Sequence, residues 1–560
     1  MFQNTHPKLL GVLHSLLSKP FDFGASECTR NRFSTLLGDR PDYEALCQLS
    51  DLYDRQCGHL RPKLAALRVA LENEYSILLG ADTDIAEIMT SVERAGAPVG
   101  TARALAITTL QIQMERISDA FGLLLCGRGC SLDSDEVKAA LSFMMLNEAL
   151  ALALAGIAAV RIVPDGFILA PSDDVSRRTL RQTWFARWAD GSSQKATQVI
   201  AAKLRRSRGF DGIDVLAARL MDQSVTINIA RLGPEAKALK SVVAVGQAAR
   251  LAAVLMLYHV AGDEWVSTDV LTKKHDLGET AHDILTYQRS ALRTDWLLEA
   301  SSAGVRLCNE GTKALRCFFA KRGFQYDEVE ALRRHVGGIG FEKRYIRERL
   351  EEDVIQPGRY SVHEGFRAHD FPDATVAKCD IEFVLYDAAL DHHYFIQIKH
   401  AARGEIGHMH SVVKALQRDL PKGLEQLRGA RHLMEQGILG PFLAARGLGG
   451  VSVQNSSFLL VHNIAQFDYQ RTDDGLAMYE WASLRNLLDD ATSVPVQIDV
   501  WHEPSSLPHH LLLSDPRVVV DHLVAHHPSY SAHGSMFAAA EVEHCYHVMG
   551  AKVTVSGLGI

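Results

Sequence analysis

Apolar residues in the first part of the chain recur at helical spacing, as in Leu9, Leu10, Val12, Leu13, Leu16 and Leu17, or Leu251, Val254, Leu255 and Leu257. Side chains three and four apart share one helix face, so the pattern predicts a predominantly α-helical region from residue 1 to about 330. Glycine and proline breaks near 38–41, 95–100, 164–171 and 232–234 divide it into bundles, and no fixed-period repeat is present. After Val336-Gly-Gly-Ile-Gly340 the period changes, and short β-rich runs alternate with helices. The order predicts a helix over 341–354, strands at about 359–366, 380–387 and 393–399, a helix at about 411–436, a strand at 457–462, a helix at 477–489 and a strand at 496–501. Such an order builds an α/β layer around a mixed sheet, and the stretch 503–560 reads as irregular.

At 560 residues the chain is too long for one ordinary core. The pattern divides it into a helical region over 1–170, a helical and partly basic region over 171–330, an α/β domain over 331–505 and a His-rich C-terminal extension over 506–560. Hydrophobic content of 47% with 22% charged residues describes a soluble globular protein. The net charge of -8 argues against a uniformly basic nucleic-acid coat, so charge has to be read by segment. Across 171–250 fourteen Lys and Arg face seven Asp and Glu, with Lys203, Arg205, Arg206 and Arg208 clustered and Trp184 and Trp188 upstream. The cluster suits nucleic-acid binding by charge and stacking, or else a solvated helix face with its tryptophans in the core.

Nine scattered cysteines fit a reducing cytoplasm better than a disulfide framework, and the N-terminus has no secretory signal pattern. Cys126 and Cys130 read as two buried thiols rather than half of a zinc site. The apolar run Leu141–Val163 is rich in alanine and is interrupted or flanked by Asn147, Glu148 and Arg161, so a buried helix is expected there and no membrane contact.

Candidate chemistry gathers at the end of two adjacent strands. In Asp380-Ile-Glu-Phe-Val-Leu-Tyr-Asp387 and Tyr394-Phe-Ile-Gln-Ile-Lys399, alternation sends Gln397 and Lys399 to one face and Ile396 and Ile398 to the other. An acid on the neighbouring strand then completes a polar cluster, with oxygen ligands for a hard divalent ion and a cation beside a phosphate. Glu382, two residues beyond Asp380, is either a second metal ligand or a polar residue on a partly exposed strand. Gly338-Ile-Gly-Phe-Glu342 opens the preceding helix, and Glu342 either serves the metal and its water or favours the helix N-terminus.

Asp380, Gln397 and Lys399 on this order of elements resemble the PD-(D/E)xK, or restriction-endonuclease-like, nuclease superfamily. The (D/E)xK element stands as Gln397-Ile398-Lys399, similar to the Mrr-like QxK variant, and the resemblance covers about 330–505. Over that span it implies an αβββαβ nuclease-like domain, joined to the mostly α-helical N-terminal region that the periodicity predicts. It further implies Mg2+, with Mn2+ as a substitute, held by Asp380, Gln397, the Ile398 carbonyl and Glu342, while Lys399 activates water. The implied substrate is DNA, with RNA as an alternative because phosphodiester chemistry does not discriminate the sugar.

Further along, Lys414, Arg418, Lys422 and Gln426 lie on a helix that can track a phosphate backbone or simply face solvent. Nine histidines lie beyond residue 500, including His522 and His526 at helical spacing, without a recognisable four-ligand zinc pattern. Neither a GxxxxGK[ST] phosphate loop nor a GxSxG elbow is present, which leaves NTPase and esterase readings unsupported. Double-strand cutting calls for two sites and hence a homodimer, and the helical half suits a recognition or regulatory role, with an activating protein partner, as in restriction or anti-phage effectors. The competing expectation is a catalytically silent nuclease-like module that binds nucleic acid or protein.

Overall fold

The computed structural model describes residues 5–63, 135–225, 232–290, 297–307, 315, 326–351, 358–372, 378–400, 409–418, 420–464, 467–488, 511–526 and 543–558. The expected strand at 496–501 and the Cys126/Cys130 pair lie outside them, as do the side chains of Trp184, Trp188 and Lys414.

Two hairpins interrupt the helical half: β1 (Ala158–Val163) with β2 (Gly166–Pro171), and β3 (Leu298–Ser301) with β4 (Gly304–Leu307). The apolar run expected to be one helix therefore changes state. Asp135–Leu154 is helical and buried over Ala149–Leu154, after which β-branched Val160, Ile162 and Val163 extend up to the turn at Pro164-Asp165. A separate helix, Lys240–His259, is long and apolar enough to cross a membrane, and 61% of its apolar window is buried inside the structure.

The main sheet contains β5 (Tyr360–Arg367), β6 (Asp380–Asp387), β7 (His392–Lys399), β8 (Ser456–His462), β9 (Gln470–Arg471) and β10 (Ala477–Glu480), in the order β5-β6-β7-β8-β10-β9. β5, β6 and β7 are antiparallel neighbours; β8 runs parallel to β7, and β10 parallel to β8. A parallel step needs a crossover, here made by the helices Met409–Arg418, Pro421–Glu435 and Leu439–Ala445. The single helix expected over 411–436 is broken before Pro421, which has no main-chain N–H to continue the i→i−4 ladder and instead starts the next helix. The helix expected over 477–489 begins as β10 and turns helical only at Trp481, because Met478 and Tyr479 are buried inside the sheet.

The described residues of the C-terminal stretch expected to be irregular are largely ordered into elements. They form the helix Pro516–His526 and the strands β11 (Glu543–Val548) and β12 (Ala551–Ser556), and β12 lies parallel to β2 in a sheet ordered β1-β2-β12-β11. Gly166, at φ +151°, makes this contact possible: a Cβ there would fall 2.0 Å from the Lys552 carbonyl oxygen.

Three apolar clusters organise the described residues. One joins the N-terminal helices and the small sheet to one face of the main sheet, through Leu13, Phe143, Phe395 and Leu427. A second fills the other face with Phe383, Tyr394, Ile396, Ile398 and Trp481. The third lies within the helices from Ala201 onward and ends on Leu332 and Val336. Leu332–Tyr345, wound as a π-helix, runs from this third cluster to Phe341 and Tyr345 in the second. Such stretches are rare and frequently mark functional segments.

Candidate active site

β7 has neighbours on both sides and is buried along nearly its whole length, as a central strand should be. An amide at Gln397, fully buried in that run, therefore needs partners, and it has them. Turned so that its nitrogen donates to the Asp380 main-chain oxygen (2.5 Å), the Gln397 amide presents its oxygen to Lys399 Nζ at 2.7 Å. The opposite orientation makes one bond, Nε2 to Gln426 Oε1 at 3.0 Å, and sets like groups face to face elsewhere. The first makes two bonds instead of one, while leaving the Gln397 and Gln426 amide oxygens 3.0 Å apart.

Lys399 reaches this position under the Pro421–Glu435 helix. Gly423 faces its stem, and a Cβ there would fall 2.8 Å from Lys399 Cγ and 2.7 Å from Leu460 Cδ1. Lys399 Nζ also lies 3.8 Å from Glu342 Oε2, while Glu342 Oε1 accepts the His400 main-chain N–H at 3.1 Å. The π-helix thus delivers Glu342 to Lys399. Gly337 on the same helix lies against the His400 ring, where a Cβ would sit 2.8 Å from Nδ1. Burial holds His400 neutral, pushed down to about 4, and both its ring nitrogens lack hydrogen-bond partners.

Asp380 completes the group at the start of β6. Its Oδ2 accepts from Gln426 Nε2 at 3.1 Å, whereas Oδ1 is buried without a hydrogen-bond donor and faces only Arg367 Nε, 3.4 Å away. Glu382 is half-buried nearby. Burial first, and then the Asp380 carboxylate, push its carboxyl up to about 7, against the opposing pull of Lys399 and Arg367.

The structure therefore brings Asp380, Gln397, Lys399 and Glu342 together at one end of β6 and β7, with Ile398 fully buried in the second apolar cluster. Gln426 is not an outward nucleic-acid contact: at 5% exposure it is wedged between Asp380 and Gln397, because Leu424, Leu427 and Ala430 turn that side of its helix toward the sheet. Arg418 and Lys422 are exposed. Lys203, Arg206 and Arg208 are exposed far along the chain, and Arg205 lies 4.1 Å above the Phe210 ring. Sequence reasoning missed Arg367, Gly423 and the inward role of Gln426. Arg367 stands across from Asp380 through the β5–β6 register, which no local pattern announces.

Among the described residues no three His, Cys, Asp or Glu side chains form a ready metal cage. His522 and His526 share a helix face and stack at 4.4 Å, without joining such a group. The cluster at β6 and β7 instead offers one orphaned carboxylate oxygen, a second carboxyl held in an unfavourable setting and a positioned ammonium. No family model, curated protein or solved structure matches this chain.

Proposed function

We propose that this chain is a Mg2+-dependent endonuclease of the PD-(D/E)xK type, hydrolysing DNA phosphodiester bonds with a regulatory or recognition region in its helical half. The observation that carries the reading is the convergence of Asp380, Gln397 and Lys399 at the open end of an antiparallel, antiparallel, parallel run of strands, with Asp380 Oδ1 left without a donor. That order of strands, preceded by the Glu342 helix and crossed over by the Pro421–Glu435 helix, also supports a restriction-endonuclease-like core. The site fits a hard divalent ion, which binds oxygen and commonly takes only one or two carboxylates, completing its shell with water and substrate phosphate.

Asp380 through Oδ1 would hold Mg2+ or Mn2+, with the Ile398 main-chain carbonyl and the Gln397 amide as the neighbouring oxygens in the resembling families. When bound, the ion supplies Lewis-acid polarisation of the phosphate and lowers the proton affinity of water. The chain's own residues do the rest. Lys399, fixed on a rigid central strand by Gln397 and Glu342, orients the attacking water and offsets charge developing on the phosphoryl oxygens. Glu342 holds Lys399 and the His400 main chain in register. Exposed Arg418 and Lys422 on the crossover helices supply phosphate contacts that position the duplex.

Coupling to the helical half rests on the π-helix. Its first turns belong to the helical cluster and its last to the sheet, and Glu328, just before it, accepts the main-chain N–H groups of Lys240 (2.9 Å) and Ser241 (2.8 Å) at the start of another helix. A movement there reaches Glu342 directly.

A second reading, a silent nuclease-like binding module, is favoured by one observation: an amide, fully buried, stands where an acid would strengthen the metal site. Cleavage of plasmid, linear duplex, single-stranded DNA and RNA in Mg2+ or Mn2+ separates the two. Cleavage of duplex DNA is expected, falling on the order of 10²–10⁴-fold in Lys399→Ala. DNA binding without cleavage in either metal, unchanged by Lys399→Ala, supports the silent module, and cleavage confined to RNA redirects the substrate.

A further inference from the structure

Gln397 is an unpromising metal ligand here. Its amide nitrogen is spent on the Asp380 carbonyl and its oxygen receives the Lys399 ammonium, so a cation at that oxygen would sit against a positive charge. A second oxygen donor has to come from elsewhere, and β6 supplies it.

Glu382 lies two residues beyond Asp380 on the same strand. The β5–β6 pairs Glu364↔Phe383 and Phe366↔Ile381 bracket Glu382 with Gly365, so its neighbour on the β5 side has no side chain to overhang it. Gly365 is also obligatory, since a Cβ there would fall 1.8 Å from the Ile381 carbonyl oxygen. On the other side, continuing the β6–β7 register one step past Phe383↔Ile396 sets Glu382 across from Gln397. The Glu382 carboxyl is acted on by the charges of Asp380, Lys399, Glu342 and Arg367, and among the described residues no hydrogen bond reaches it. Asp380 Oδ1 beside it is likewise without a donor. Two neighbouring carboxyls, both short of donors, are a poor arrangement for stability and a good one for a divalent cation.

We infer that Glu382 supplies the second carboxylate of the metal site together with Asp380, and that Gln397 positions Lys399 instead of ligating the ion. This rests on the nuclease reading and assigns its ligand set. It also accounts for the glutamine: the acid missing from the third strand is present on the second, and a glutamate at 397 would crowd a further negative charge beside Asp380, Glu382 and Glu342.

The test is Mn2+ binding by the whole protein, followed by electron paramagnetic resonance and calorimetry, with and without a short DNA duplex. Native protein is expected to bind Mn2+, with affinity falling at least about tenfold in Glu382→Gln and in Asp380→Asn. Gln397→Met should bind Mn2+ within about threefold of native while losing cleavage, because it removes the bonds to Lys399 and to the Asp380 main chain but leaves both carboxylates in place. Circular dichroism and melting temperature establish that each variant is folded. Native affinity in folded Glu382→Gln, or lost affinity in folded Gln397→Met, overturns the inference and leaves the nuclease reading standing. No Mn2+ binding by native protein, even with duplex present, overturns both.

Discussion

Two aspartates bracket β6, and they are treated in opposite ways. Asp387 is 1% exposed, yet every demand it makes is met: Arg359 donates from Nε (3.3 Å) and Nη2 (3.2 Å), and the Ala389 main chain donates at 3.0 Å. Beside it His392 and Ser457 close a further bond at 2.7 Å. Asp380, at the other end of the same strand, keeps one oxygen without a donor and faces a guanidinium that is half exposed. A buried carboxylate with a forked partner fixes the sheet, whereas one with unmet valence is suited to a ligand.

Substitutions at the two positions should therefore separate stability from function. Asp387→Ala strands the buried Arg359 charge and should cost about 3–5 kcal/mol in denaturant unfolding, with cleavage per folded molecule unchanged. Asp380→Asn should cost under about 1 kcal/mol, its partner being exposed, while cleavage falls at least about a hundredfold. The reverse assignment of effects would break the comparison.

Acid should weaken both ends together. His392 and His400 are pushed down to about 4 by burial, and His462 to about 3. Each is neutral in the native and unfolded chains at pH 7; below about 6.5 the unfolded chain takes up protons that the native chain refuses. Stability should fall as pH drops from about 6.5, by at most ~1.4 kcal/mol per pH unit for each histidine, with the contributions of His392 and His400 levelling off below about 4 and that of His462 below about 3. Unfolding curves at stepped pH check this, and replacing fully buried His462 with Phe should flatten the slope.

Gly423→Ala sharpens the functional end. The added methyl meets the Lys399 stem and Leu460, which should cost about 1–3 kcal/mol and lower kcat by displacing the ammonium, while Mn2+ affinity is retained. The smallest effect is expected from Arg367→Gln. An exposed pair contributes under about 1 kcal/mol, and its removal should tighten Mn2+ binding slightly by freeing Asp380 from a competing cation.

The residues that alternate along a strand were legible from the sequence. Asp380, Gln397 and Lys399 follow from period two; Glu342 lies on a helix as expected, but Gly338 and Gly340 sit inside the continuous stretch Leu332–Tyr345 and do not open it. What the local pattern hides is register and burial across elements. Gln426 reads as part of a polar helix face until the sheet packs beneath it, and Arg367 meets Asp380 only once β5 has found its partner. Short apolar stretches were ambiguous for the same reason: Ala477-Met-Tyr-Glu480 extends because β8 is beside it, and Ala551–Ser556 because β2 is.

The most direct test of the central claim is anomalous scattering from crystals of the protein soaked in Mn2+. The account predicts a peak between the carboxylates of Asp380 and Glu382, with Lys399 alongside and Asp387 still paired to Arg359. A peak elsewhere, or none in crystals where the β6 and β7 ends are accessible, would contradict it.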